Sequence, residues 1–146
     1  LVDGAVQPDR VVSSTGTSTL TSPASKVQVG YRYPSDGQML RQDVGAADGT
    51  AQGKYQRTHR VNVRVHDTLG MKFGAGFHTS GPGKLTEKTV RTSAVPGDTM
   101  VPLESGDIEI SWEGTYTKDN YVTWRNDSMF PGTILAVMPQ LHTQDR

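Results

Sequence analysis

Residues 56–73 read QRTHRVNVRVHDTLGMKF, and the centre of the stretch alternates strictly, with Val61, Val63 and Val65 set against Arg60, Asn62, Arg64 and His66. Successive Cβ atoms of a strand point to opposite faces, so a period of two predicts a strand half buried in a sheet. The same period recurs in residues 26–33, where Val27, Val29 and Tyr31 oppose Lys26, Gln28 and Arg32. It recurs again in residues 107–112, with Ile108, Ile110 and Trp112 opposing Asp107, Glu109 and Ser111, and in residues 121–125, with Val122 and Trp124 opposing Tyr121, Thr123 and Arg125. Residues 133–138 are an uninterrupted apolar run between Pro131-Gly132 and Pro139. A run that short between breakers predicts a strand buried on both faces.

Turn chemistry separates these stretches. Pro34-Ser35-Asp36-Gly37 predicts a turn, because Pro presets φ and Gly accepts positive φ. Asp67-Thr68-Leu69-Gly70 predicts a hairpin turn, with Gly70 to Phe73 as the returning strand. Residues 94–98 and the Gln7-Pro8-Asp9 step read as turns. Residues 42–54 form a Gly/Ala/Asp-rich loop too weakly apolar to build a core, and residues 74–83 a glycine-rich mobile loop; residues 84–92 fit neither period. The Ser/Thr tract at 13–22 reads as linker or as an edge strand near Leu20. No long segment carries apolar positions at helical spacing, so the expected fold is all-β: an antiparallel β-sandwich or barrel with long Gly/Ser/Thr-rich loops.

Length and composition narrow the class. A chain of 146 residues is one domain with room for a core. Residues 1–25 read as an extended linker or edge segment continuing from an upstream part, since the chain opens in mid-pattern without Met; residues 26–146 read as a single β domain. There is no cysteine, hence no disulfide, thiolate metal site or cysteine nucleophile. Fifteen basic and fifteen acidic residues cancel, which gives no electrostatic case for a nucleic-acid or membrane-surface partner. The longest apolar run falls far short of the ~20 residues of a membrane helix.

Residues that could carry chemistry are scattered. His59 and His66 lie seven apart on one strand, a spacing that expects them on opposite faces, and His78 and His142 add no metal-ligand spacing. Asp107 and Glu109 share a strand face, as the carboxylates of a glycosidase would across a cleft, but opposite the apolar positions they read as a solvated face. Asp67 beside His66 reads as a turn former on the opposite face. Arg60 and Arg64 share a face, Arg57 falls on the other, and cross-strand pairing with Asp107 and Glu109 explains the first two. Trp112 and Trp124 read as core, whereas Tyr33, Tyr116 and Tyr121 sit at turns or outward positions and could stack against a sugar. The residues therefore predict no catalytic set, no metal and no cofactor, and leave the three tyrosines as the one ligand candidate.

Several segments, taken in order, carry a family resemblance: LVDGAVQP at 1–8, VQVGYRY at 27–33, GKYQRTHRVNVRV at 53–65, DTLGMKFG at 67–74 and PGTILAVMPQL at 131–141. PASKVQVG at 23–30, Asp107 and Arg125 fall into the same order. The chain resembles the C-terminal β domain of bacteriophage short-tail hub proteins, the nozzle or stabilisation components that also carry a β-propeller. The resemblance implies a non-catalytic virion component of the phage tail, assembled as a sixfold ring. Its implied partners are copies of itself plus adaptor and fibre proteins, with no membrane and with nucleic acid only in transit through the tail channel. The shared residues are expected to set the fold, with Gly30 admitting a close neighbour to its strand. A glycan- or receptor-binding module using Tyr33, Tyr116 and Tyr121 is the alternative, and a polysaccharide hydrolase stands last.

Overall fold

The computed structural model describes residues 1–7, 10–20, 22–43, 49–78, 80, 81, 83–87 and 101–144. The strands are β1 (Ala5–Val6), β2 (Ser35–Gln38), β3 (Tyr55–Thr68), β4 (Met71–Gly74), β5 (Thr86–Glu87), β6 (Val101–Pro102), β7 (Glu104–Ser111), β8 (Thr123–Asn126) and β9 (Thr133–Gln144). They form three antiparallel sheets: a pair β1-β6, a four-stranded sheet ordered β2-β8-β4-β5 and a three-stranded sheet ordered β7-β3-β9. No helix occurs among the described residues, and no sheet closes into a barrel. The fold is all-β and sandwich-like.

One core joins the two larger sheets. Val61, Val63 and Val65 of β3 and Ile108 and Ile110 of β7 meet Met71 and Phe73 of β4, together with Trp112 and Val122. Met39, Trp124, Ile134 and Val137 pack around that cluster. The alternation in residues 61–65 and 107–112 thus aims one face at the interior, as expected, and both tryptophans belong to the packing.

Two bulges in the β3–β9 ladder, and a register shift of β3 against β7 between Val65 and Thr68, set which face each residue takes. Thr58 pairs with Leu141 and Arg60 with the adjacent Gln140, which leaves His59 as an extra residue in β3. A bulge shifts the period by one. Gln56 and Thr58 are therefore buried before it, and Val61, Val63 and Val65 after it. Inside, Thr58 Oγ1 and the Asn120 side chain are hydrogen bonded at 2.8 to 3.0 Å, and Gln56 Nε2 donates to Ala51 O at 2.7 Å. Ala51, in the loop read as too weakly apolar for a core, is fully buried. The second bulge leaves Leu135 extra in β9, between the pairs Arg64–Ala136 and Val65–Ile134.

The turn at 67–70 does not make a hairpin. Asp67 (φ 44°) and Gly70 (φ 74°) turn the chain out of the three-stranded sheet, and β4 pairs with β8 and β5 instead of β3. Thr68 braces this corner, accepting from Thr133 N at 2.9 Å while its hydroxyl reaches His66 O at 2.9 Å.

Other local expectations are also corrected. Residues 35–37 lie in strand β2, not a turn: Asp36 pairs across the ladder with Arg125 and Gly37 with Trp124. Gly37 is needed there for space, since a Cβ would fall closer than 3.0 Å to three atoms of the Trp124 indole. Thr123 is buried alongside Val122, because its hydroxyl donates to Gly74 O at 2.8 Å. Residues 133–138 are not buried on both faces. β9 is an edge strand, so Ile134 and Val137 pack inward while Leu135 and Met138 are exposed. Residues 26–33 are not a strand; only Val27 makes a bridge, to Val2.

In the Ser/Thr tract, residues 13–17 close a turn, Ser13 N donating to Thr17 O at 2.8 Å. The glycine-rich loop folds back at its base, where Leu85 N donates to His78 O at 2.9 Å. The turn expected at 94–98, the Pro8-Asp9 step and residues 88–92 lie outside the described residues.

Candidate interaction surface

The outer face of the three-stranded sheet is an ion-pair lattice. Arg64 Nε and Nη2 hold Asp107 at 2.6 and 2.8 Å, and Arg60 Nε lies 3.3 Å from Glu109. The expected cross-strand pairing is therefore present. Arg64 hydrogen-bonds the Asp107 carboxyl and keeps it below its ordinary range, the opposite of what a general acid requires. The bulge also overturns two parity arguments. Arg57, beside the buried Gln56 and Thr58, faces the side that Arg60 and Arg64 occupy after the bulge. His59 stacks on His142, whose partner across the ladder is Arg57, at a ring separation of 4.7 Å, so it lies on the same sheet face as His66.

One trio escaped the sequence reading. Ser105 Oγ lies 3.3 Å from His66 Nδ1 and 3.1 Å from Asp67 Oδ1, and His66 Nε2 lies 3.6 Å from Asp67 Oδ2. Asp67 is therefore not on the far side of His66; its positive φ bends the carboxylate back. The residue types are those of an acyl-transfer triad, but the connections are wrong for one. Ser105 bonds the carboxylate directly, accepts from Asp67 N at 2.9 Å, and all three side chains are exposed. An acyl-transfer triad would instead run serine to imidazole to carboxylate, with the carboxylate buried behind the ring. The trio braces the corner. Among the described residues no group of three His, Asp or Glu side chains could hold a metal.

The three candidate tyrosines do not converge. Tyr33 is exposed at a cleft of ≈ 370 Å³ shared with Val29, Gly30, Met71, Met129 and Phe130. Tyr121 is half-buried, its hydroxyl 3.3 Å from Arg41 Nη2, and Arg41 also pairs with Asp119. Tyr116 is exposed beside Thr117, which exchanges backbone hydrogen bonds with Gln56. No cleft described here takes in two of them.

The rim of the four-stranded sheet centres on Asp127, which accepts from Lys72 Nζ at 2.9 Å and Arg32 Nη2 at 3.1 Å; Arg32 Nε also reaches the Asp127 carbonyl. The Lys72 hydrogen bond first, then the surrounding positive charge, lowers the Asp127 pKa. Asp36 is lowered likewise by its paired hydrogen bonds to Arg125. A carboxyl depressed in the folded state contributes stability that is complete above its unfolded pKa near 4 and is lost as pH falls through the folded value. The urea midpoint is therefore expected to hold between about pH 5 and 7 and to drop below about pH 4, with a shallower drop in Asp127→Asn. Identical pH profiles for the variant and the parent would contradict this role.

Part of the remaining surface is apolar. Residues 1–3 and 25–28 make a short ladder, in which Gln28 N donates to Leu1 O at 2.9 Å and the Asp3 carboxylate accepts from Ser25 N and Lys26 N at 3.1 and 2.7 Å. Beyond it, Val29 and Tyr31 are 92% and 95% exposed. Gly30 has nothing within 4 Å of the position a Cβ would take, so the close neighbour expected there is not found among the described residues. Compared with known proteins, the sequence matches no family model and no curated relative.

Proposed function

We propose that this domain is a non-catalytic structural module of a bacteriophage tail hub, which packs against other copies of itself and against adaptor and fibre proteins in the virion. The supporting observation is the distribution of large apolar side chains: Val29, Tyr31 and Leu135 stand in solvent, while Arg60, Arg64 and Arg125 are engaged in ion pairs across the sheets. Such a surface offers contact area and no reactive centre. The resemblance in residues 27–33, 53–65, 67–74 and 131–141 supplies the assembly, a sixfold ring. Immunogold labelling of purified particles with antibody to this domain is expected to mark the tail. Label confined to the host's soluble fraction would defeat the virion reading.

The alternative, glycan or receptor binding, draws on Tyr33 at its cleft. It requires that Tyr33→Ala abolish saccharide binding on an array with the fold intact.

A further inference from the structure

Each described sheet has two outer edges, and most of them are protected. An open strand edge invites pairing with another chain unless charge, proline or shortness blunts it. β7 carries Glu104, Asp107 and Glu109, with Gly106 at φ 132°. β2 is four residues long, contains Asp36 and follows Pro34. β9 differs. Its first six residues, TILAVM, hold no charge and no proline before Pro139; the bulge at Leu135 interrupts them, and Leu135 and Met138 are 61% and 38% exposed. Among the described residues it pairs on one side alone, with β3.

The same chain carries a strand-forming sequence that no described sheet takes up. Residues 27–33, VQVGYRY, have strand alternation and β-forming side chains, yet no backbone hydrogen bond joins residues 29–33 to a described residue. The segment is held at both ends, by the ladder to residues 1–3 and by Arg32 on Asp127. Ordering it on binding costs little entropy. Seven residues span about 23 Å and six about 20 Å at ~3.3 Å each, so the two lengths match.

We infer that copies of this chain join by strand addition: residues 27–33 of one copy pair with the free edge of residues 133–138 in the next. The contact uses different surfaces on the two copies, so it is heterologous and builds a ring or a filament. The inference rests on the reading of the domain as a packing module and adds which strands meet. The test compares three full-length chains by sedimentation: the parent, Val29→Lys with Tyr31→Lys, and Leu135→Lys with Met138→Lys, each checked for its fold by circular dichroism. The parent is expected to self-associate, and each variant alone to lose roughly tenfold or more in association. An equimolar mixture of the two variants keeps one intact contact and should form dimers and nothing larger. Dimers of the Val29→Lys, Tyr31→Lys chain alone would mean that β9 pairs with β9, which overturns the inference but leaves self-packing standing. Association unaffected in both variants has the same consequence. A parent chain monomeric up to about 1 mM would overturn both the inference and the packing reading.

Discussion

Deleting His59 is expected to cost the domain at least about 3 kcal/mol or to prevent folding, whereas His59→Ala should cost about 1 kcal/mol. The asymmetry follows from the bulge. His59 is the extra residue between the pairs Thr58–Leu141 and Arg60–Gln140, and it alone allows Gln56 and Thr58 to face inward on the same strand as Val61, Val63 and Val65. Removing it forces a choice. If the valines stay inside, Thr58 leaves Asn120 buried at 4% exposure without its hydroxyl partner, and Gln56 abandons Ala51. Each orphaned group costs about 1–3 kcal/mol. His59→Ala keeps the residue count and loses mainly the ring contact with His142. Urea unfolding followed by Trp112 and Trp124 fluorescence measures both variants. Equal losses would show that the bulge does not set the register.

Gly37→Ala is expected to destabilise by about 1–3 kcal/mol, although it adds a single methyl group. That methyl would overlap the Trp124 indole, which packs between β2 and the core cluster, so either the ring or β2 must move. β2 is fixed by the Asp36–Arg125 pair at 2.6 and 2.8 Å, which leaves little freedom. Gly30→Ala is the control, as nothing lies within 4 Å of the added atom. Combining Gly37→Ala with Trp124→Leu should cost less than the sum of the two changes, because the smaller side chain removes the overlap. Equal effects of Gly37→Ala and Gly30→Ala would refute the packing role.

What is local in the physics is legible in the residue order, and what depends on a neighbour is not. Alternation at 61–65 and 107–112 located the core face because one buried side is written directly into the residue order. The pairing of Arg64 with Asp107 was legible once both strands were placed. The bulge at His59 was not legible: it shows only as a change in parity between Thr58 and Val61, two positions that look equally ordinary without the partner strand. Residues 133–138 were placed inside because apolar content says nothing of whether a strand lies at the centre or edge of its sheet. Residues 27–33 were placed in a sheet because alternation reports fitness for pairing, not the presence of a partner. Gly37 misled for a related reason, since a glycine that makes room for an indole looks the same as one that makes a turn. The Ser105–His66–Asp67 trio depends on the corner at Asp67 folding β3 toward the start of β7 and was beyond reach of spacing arguments.

The most direct test of self-packing uses the absence of cysteine from this chain. Single variants Val29→Cys, Tyr31→Cys, Leu135→Cys and Met138→Cys are mixed in pairs under mild oxidation and resolved on non-reducing gels. Covalent dimers are predicted when one of the first two meets one of the last two, and at background levels otherwise. Cross-links confined to like pairs, or none in any mixture, would contradict the account.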